Sequence, residues 1–240
     1  MSKNCTYCER ENTQKSFKQF VQNKHKTVGG QDMDELMENL LVGIPETVAN
    51  LQLPDPVLRG MYLDEQDRIY RLDHNLTESD LDLVDMILRC NKEDKGKPIE
   101  ERKPIKVYIS SPGGDVVTLW TIIQAIQYSK TPVWTVNISY AYSAAAEILV
   151  AGQKRYSLPG TQTMFHRGSN YFGGEASVVE STRKHFDKLE DKLRDFLLSH
   201  TKISPKAYKK NASSDIYYDE HDCLKNGVID EILTDYDILF

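Results

Sequence analysis

The chain has 240 residues, of which 40% are hydrophobic and 28% are charged, and its formal net charge at pH 7 is -6. This length and apolar content allow one large domain, alone or with appendages, while the acidic balance argues against general nucleic-acid binding because no excess of basic groups is available to neutralise phosphates. The sequence has no apolar run of about 18 residues and no signal-peptide core, so we expect a cytoplasmic protein that contacts neither nucleic acid nor membrane.

The first 66 residues divide into two predicted parts. Residues 1–30 are polar, lysine-rich and without periodicity, which predicts a flexible arm. Residues 31–66 begin with a short amphipathic helix over Asp32–Leu41 and continue as extended segments broken by prolines.

The arm carries a C-x-x-C pair, Cys5 and Cys8. Three interpretations fit this pair: half of a zinc site completed by a residue such as His25, a redox pair, or two free thiols. The second C-x-x-C that would support zinc does not follow, and the remaining cysteines, Cys90 and Cys223, are too scattered for a disulfide framework. We expect no metal and no cofactor.

Residues 67–240 are expected to form one α/β domain. A strand is predicted over Arg68–Asp73, followed by a helix over Thr77–Asn91 that opens with a Thr-x-x-Asp capping box. The run Asn91–Pro104 is charged and punctuated by glycine and proline, which predicts an exposed loop.

The central stretch, Lys106–His166, alternates strand and helix. Its β-branched runs are spaced for parallel pairing through crossover helices, which indicates an α/β sheet. The stretch ends with a strand that leads directly into His166.

Two places in this stretch are candidates for a catalytic role. At Gly113-Gly114 the backbone can turn sharply and leave N–H groups unshielded by side chains. Ser143 stands between the apolar strand Val133–Ile138 and a helix of small residues, Ala144–Ala151. A hydroxyl there lies at a helix N-terminus, where free amides favour developing negative charge.

A long helix over Glu175–Ser199 is predicted next. Its apolar residues form one stripe on a charged rod, so it packs along one side, as helices that meet another subunit often do. The chain then continues through four further predicted elements: helix Pro205–Asn211, turn Ser213–Asp215, helix Glu220–Lys225 and strand Gly227–Leu233.

Several dispersed motifs together resemble the proteolytic subunit of the ATP-dependent Clp protease. They are S-P-G-G at Ser111–Gly114, the serine opening a helix at Ser143, A-G-x-K-R-Y-x-L-P at Ala151–Pro159, M-x-H ending at His166, and N-G-V-I-D at Asn226–Asp230. The resemblance covers roughly residues 68–233. It implies the Clp peptidase fold, a crotonase-like spiral of βα units with a protruding long handle helix, and serine endopeptidase activity.

The resemblance also implies a catalytic triad. Ser143 would be the nucleophile, His166 the general base and Asp215 the orienting acid. Asp215 takes the acid position when the sequence is followed without a gap from His200-Thr201 to the N-G-V-I-D motif, and Asp219 and Asp222 are the alternatives.

The remaining implied site residues hold the substrate. The backbone N–H groups of Gly114 and Ala144 would form the oxyanion hole. Asp115, Val116, Arg167 and Gly168 would contact the peptide, the last two in a segment that pairs with substrate as an added strand.

The chain departs from the family pattern at several positions. The bulky Tyr142 precedes the serine, and Ala145 stands where the family usually has glycine. Arg167-Gly168 replaces the usual Gln-Pro, and Ser214 replaces an arginine implicated in contacts between rings. These differences indicate a divergent member.

The resemblance finally implies partners: a homo-oligomer of two stacked heptameric rings, an AAA+ ATP-driven unfoldase, and unfolded protein substrates. No G-x-x-x-x-G-K-[ST] motif occurs, so the chain itself needs no nucleotide site. Three alternatives stay open: a viral-type capsid-maturation protease of the same fold, a catalytically silent Clp-like subunit of a mixed ring, and a crotonase-type acyl-thioester enzyme.

Overall fold

A computed structural model of the chain describes residues 56–166, 168, 173–211 and 215–239. The chain divides into two compact units, Met1–Asp67 and Arg68–Phe240. In the first unit, helix α1 spans Pro56–Gln66, so the extended conformation predicted there is wrong; Pro56 stands at the first helical position, where its missing N–H costs no helical hydrogen bond. The predicted arm, the predicted helix over Asp32–Leu41, and Cys5, Cys8 and His25 all lie outside the described residues.

The second unit alternates strands and helices, as the sequence predicts for an α/β protein. Its elements are β1 (Ile69–Leu72), α2 (Leu81–Glu93), β2 (Ile105–Ser111), α3 (Val116–Tyr128), β3 (Val133–Tyr142), α4 (Ala144–Ala151), β4 (Lys154–Ser157), β5 (Gln162–Phe165), α5 (Ala176–His200), α6 (Pro205–Asn211), β6 (Ile216–Asp219), α7 (Glu220–Lys225) and β7 (Glu231–Ile232). Short 3-10 turns at Glu78–Asp80, Ile99–Glu101 and Asp237–Leu239 complete the described elements.

The strands form one mixed sheet of seven strands. Its main path runs β1-β2-β3-β4-β7, with β5 paired to β3 and β6 paired to β5. Every pairing is parallel except that of β5 with β6. The α/β class with its mostly parallel sheet is therefore confirmed.

The sheet is buried because helices cover its central strands. In β2, the alternating residues Ile105, Val107 and Ile109 are fully buried and Lys106 and Tyr108 on the opposite face are also buried, as expected for a parallel strand covered on both faces. The apolar residues of α2 and α3 pack into the same core as these strands. Burial of this continuous apolar layer supplies the main stabilisation of the domain.

Strand β3 is longer than the predicted strand Val133–Ile138 and has two partners. Its first half pairs with β4, and its last three residues, Tyr140–Tyr142, pair with β5. Because both pairings are parallel, β3 and β5 end at the same edge of the sheet. The residues that follow these two strands, Ser143 and His166, are therefore brought together.

Strand β6 was missed in the sequence, which predicted a turn and then a helix in this region. Its four residues, Ile-Tyr-Tyr-Asp, alternate between partly buried and exposed side chains. A strand this short gives little periodic signal, although isoleucine and tyrosine are residues that favour strands.

The long helix α5 packs along one side only, as its stripe predicts. Its buried residues, Leu189, Leu193, Phe196 and Leu197, all lie in the C-terminal half. The N-terminal half, residues 176–188, contains no buried residue. This half is the handle of the fold.

The charged run Asn91–Pro104 is mostly exposed, as predicted, but Asp94 is buried. Asp94 is fully buried, and its carboxylate accepts hydrogen bonds from Arg68, Lys97 and Thr131. The hydrogen bond from Arg68 is the main reason that the pKa of Asp94 is well below its usual range. A single acidic side chain in a charged loop carries no pattern that could reveal such burial.

Candidate active site

Ser143 occupies a strained turn between β3 and α4. Its φ and ψ angles are 54° and -124°, a conformation that residues other than glycine rarely adopt. Such strain costs on the order of 1–3 kcal/mol and is typical of the nucleophile elbow, which exposes a serine above the end of a sheet. The residues two positions before and after the serine, Ala141 and Ala145, are fully buried. Their small side chains fit this turn, including the alanine that replaces the family's glycine.

The turn is held by the strands around it. The N–H of Ser143 donates to the carbonyl of Met164 in β5 at 2.8 Å. On the other side lies Gly113, with φ of +89°; a Cβ atom there would lie 2.6 Å from the carbonyl oxygen of Tyr142. Only glycine therefore fits against the elbow at this position.

His166 is in hydrogen-bond contact with Ser143. It follows β5 directly, and its Nε2 atom lies 2.7 Å from Ser143 Oγ. The ring is 27% exposed, so it borders an open space as well as the serine. A neutral imidazole in this position can accept the hydroxyl proton.

Asp215 lies on the far side of the imidazole. Its Oδ1 atom is 3.8 Å from Nδ1 of His166, which is longer than a hydrogen bond, and its side chain is 52% exposed. Catalytic hydrogen bonds are often long in the absence of substrate, so this distance is compatible with an orienting carboxylate.

Strand register separates Asp215 from its alternatives. In the antiparallel pair, Phe165 lies opposite Ile216, which places Asp215 across from His166. Asp219 lies opposite Gln162, four residues back along β5, or about 13 Å away at the rise of a strand.

Asp219 also has another role. The Asp219 side chain accepts a hydrogen bond from the N–H of Asp222 at 2.7 Å and so caps helix α7. The geometry therefore favours Asp215 as the partner of His166.

Two backbone amides lie near the serine. Leu76 forms a parallel bridge in which its N–H donates to Gly113 O at 2.8 Å and its carbonyl accepts from Asp115 N at 2.9 Å. In such a bridge the intervening residue, Gly114, directs its own N–H away from Leu76. The N–H of Ala144 begins helix α4 and has no acceptor within the helix.

A cleft of about 820 Å³ joins these groups. The sequence-predicted site residues that line it are Gly114, Asp115, Val116, Ser143, Ala144, His166 and Gly168. Arg167 lies outside the described residues. The carboxylate of Asp115 accepts a hydrogen bond from Thr118 N at 2.6 Å, so this side chain caps helix α3.

Tyr142 does not line this cleft. Its hydroxyl donates to the side-chain oxygen of Gln162 at 2.8 Å, and its ring packs edge-on against Tyr217 at 5.8 Å between centroids. The bulky residue before the serine therefore lies over the β5–β6 pair.

Glu147 is a chemically notable residue of the cleft that was not predicted from the sequence. It lies in the first turn of α4, and its Oε2 atom is buried without a hydrogen-bond partner among the described residues. Desolvation raises the pKa of this carboxyl to about 8. The available signal was a lone acidic residue within the small and apolar run A-A-A-E-I-L-V-A.

We expect the wild type to lose stability relative to Glu147→Gln as pH rises from 5 to 8. The folded state holds the Glu147 proton up to a pKa of about 8, whereas the unfolded chain releases it near the ordinary value of 4.5. Between these values the folded state binds more protons, so the free energy of unfolding falls as pH rises, by an amount on the order of a few kcal/mol. Urea unfolding of the wild type and of Glu147→Gln at pH 5 and pH 8 measures this difference. An equal change in the free energy of unfolding of the two proteins would contradict the prediction.

No group of three or more His, Cys, Asp or Glu side chains is arranged to hold a metal ion in the part of the chain that the structure describes. Cys90 and Cys223 are buried free thiols. Among the described helices, none is both long and apolar enough to cross a membrane.

The fold and the site together define an α/β protein with a mostly parallel sheet, in which a serine at a strained turn contacts a histidine beside two backbone amides. Comparison with known proteins narrows this class. The family model described as Clp protease matches residues 83–236. A similar protein is the "ATP-dependent Clp protease proteolytic subunit" of Deinococcus radiodurans, 32% identical over 142 residues that make up 58% of this chain and 68% of that protein. The chain therefore belongs to the Clp protease family, and both the resemblance and the fold expected from the motifs are confirmed.

Proposed function

We propose that this chain is a serine endopeptidase, the proteolytic subunit of an ATP-dependent Clp-like protease. The observation that carries the proposal is the strained Ser143 in hydrogen-bond contact with His166, in a cleft that two backbone amides also line. A serine that only capped a helix would need neither the positive φ nor the histidine. Membership of a peptidase family supports the same activity.

Each residue has a defined role in this proposal. His166 Nε2 accepts the proton of Ser143 as Oγ attacks the peptide carbonyl, and Asp215 holds the imidazole and stabilises its charged form. The N–H groups of Gly114 and Ala144 donate to the carbonyl oxygen as it becomes negative, each contributing about 3 kcal/mol of transition-state stabilisation. The leaving amine then takes the proton from His166, and water hydrolyses the acyl-enzyme by the reverse path.

The proposed partners follow from the family. The relative in Deinococcus radiodurans is named as the proteolytic subunit of an ATP-dependent protease, which supports an AAA+ unfoldase as the partner of this chain and unfolded proteins as its substrates. The exposed N-terminal half of α5 supports assembly into stacked rings, since a stripe-bearing helix with no buried residue over 13 positions offers surface to another subunit. A cytoplasmic location belongs to the same proposal.

Reaction with a fluorophosphonate probe tests the proposed activity. We expect the wild type to be labelled, Ser143→Ala and His166→Ala to be unlabelled, and Ser139→Ala, which changes an exposed serine four residues away, to be labelled like the wild type. The oligomeric mass is recorded on the same samples. An assembled wild type that does not react would overturn the enzyme proposal and favour a silent subunit.

Co-purification distinguishes a Clp-like peptidase from a capsid-maturation protease. A Clp-like peptidase is expected to bind an ATP-driven unfoldase, whereas a capsid-maturation protease would be labelled by the probe without binding one. Recovery of the tagged Ser143→Ala variant from its native host, with and without ATP, gives this answer without degradation of captured substrates.

A further inference from the structure

We propose that Glu147 makes the specificity pocket of this cleft selective for a basic side chain, arginine or lysine, on the acyl side of the cleaved bond. The inference rests on the proposed peptidase function and deepens it by naming the substrate class. Three features of the described residues support the inference. They are the position of Glu147 near the serine, the apolar side chains that line the same cleft, and the Glu147 Oε2 atom, which has no hydrogen-bond partner among these residues.

Glu147 lies close to the serine. Its backbone N–H donates to the carbonyl of Ser143 at 3.3 Å, and both residues line the same cleft. A substrate carbonyl held between Ser143 and the amides of Gly114 and Ala144 brings the side chain of its own residue to this cleft, where Glu147 is part of the lining.

The lining of the cleft combines apolar and charged side chains. Its apolar and aromatic part is formed by Leu119, Phe186, Leu193, Leu198, Pro205 and Tyr208. A cleft that offers apolar surface beside a carboxyl group suits a side chain with an aliphatic stem and a hydrogen-bond-donating head. Arginine and lysine have both parts.

The carboxyl of Glu147 lacks the partners that such a ligand would bring. Its Oε2 atom is buried with no hydrogen-bond partner among the described residues, and a buried acceptor in that state is unfavourable. A guanidinium or ammonium group in the cleft supplies donors to the carboxyl and favours its ionised form.

Acidic residues outnumber basic ones in the lining of the cleft. Besides Glu147 it contains Asp115, Glu190 and Asp191, against Arg194 and Lys209. Arg194 donates to Asp191 and Asp195, and Lys209 is exposed to solvent. This balance of charge favours a cationic side chain in the cleft.

Matched fluorogenic peptides test the inference. The set differs only in the residue before the cleaved bond, which is arginine, lysine, norleucine, leucine or glutamate. We expect the wild type to cleave the arginine peptide with a kcat/KM about 10- to 100-fold above that of the norleucine peptide. Glu147→Gln should reduce this ratio to within about 3-fold, and Glu147→Leu should invert it. The exposed Glu100→Gln is the charge-matched control and should keep the wild-type ratio.

A second measurement tests the same preference without depending on the rate of peptide cleavage. Tripeptide aldehydes ending in argininal or norleucinal compete with fluorophosphonate labelling, and we expect the argininal compound to protect the wild type at about 10-fold lower concentration and to lose this advantage in Glu147→Leu. Labelling without any preference for the basic residue would overturn the inference and leave the peptidase proposal standing. Absence of labelling in the wild type would overturn the peptidase proposal, and the inference with it.

Discussion

Asp215→Asn will lower kcat/KM for peptide hydrolysis by about 10³- to 10⁴-fold, with little change in the assembled mass. An asparagine in this place offers an N–H to Nδ1 of His166, which favours the tautomer whose Nε2 carries a proton and cannot accept one from Ser143. The variant also loses the negative charge that stabilises the imidazolium. Steady-state kinetics across pH 6 to 10 measure the effect, and part of the lost activity should return at high pH.

Asp219→Asn is the matched control for this change. Asparagine caps helices as well as aspartate does, so the cap of α7 survives and activity should stay within about 2-fold of the wild type. Full activity in Asp215→Asn together with loss of activity in Asp219→Asn would identify Asp219 as the acid that orients His166. It would contradict the assignment of Asp215 from the strand register.

Gly114→Ala will reduce kcat by about 10²- to 10³-fold even where the protein still folds. The φ of Gly114 is +155°, and a Cβ atom there would lie 2.8 Å from the nitrogen of Leu76 and closer still to its carbonyl oxygen. The bridge between these residues must open to admit the methyl group, which displaces the N–H that is proposed to stabilise the oxyanion. Peptide hydrolysis and thermal unfolding are measured on the same preparation.

Gly96→Ala is the control for the cost of positive φ alone. Gly96 has φ of +92°, but no atom lies within 4 Å of the position its Cβ would take. Both variants therefore place alanine at a positive φ, which costs on the order of 1–3 kcal/mol, while only the substitution at Gly114 meets a neighbour. An equal fall in activity in the two variants would show that general destabilisation, not the position of one amide, explains the loss.

The sequence predicted several helices of the fold well. The helix Ala144–Ala151 and the helices Pro205–Asn211 and Glu220–Lys225 were predicted with the bounds that the structure gives them. Strand β6 was not predicted, because a run of four residues at a sheet edge is too short for its hydrophobic pattern to distinguish a strand from a turn. Its partner β5 is far enough away in sequence that only the folded chain reveals the pairing.

Some residues of the candidate site could be predicted from the sequence and others could not, depending on whether a local pattern marked them. Ser143 and His166 follow strands and stand in recognisable motifs, so their meeting could be expected from parallel pairing and the family resemblance. Glu147 could not, because a local pattern does not report which face of a small helix borders a cleft or whether a carboxyl finds a partner. The assignment of Asp215 stays a prediction, now supported by the register of β5 and β6.

The attachment of β6 has a consequence for how the protein would lose its proposed activity. This strand pairs with β5 alone among the described strands, and two of its four side chains are exposed. Opening an edge pair of four residues breaks few hydrogen bonds and uncovers only two side chains that pack on the core, Ile216 and Tyr218, so it needs less free energy than unfolding the β2–β3 core. The carboxylate could thus part from the imidazole while the serine turn and the rest of the sheet stay folded, which makes catalytic competence a more fragile property than the fold itself.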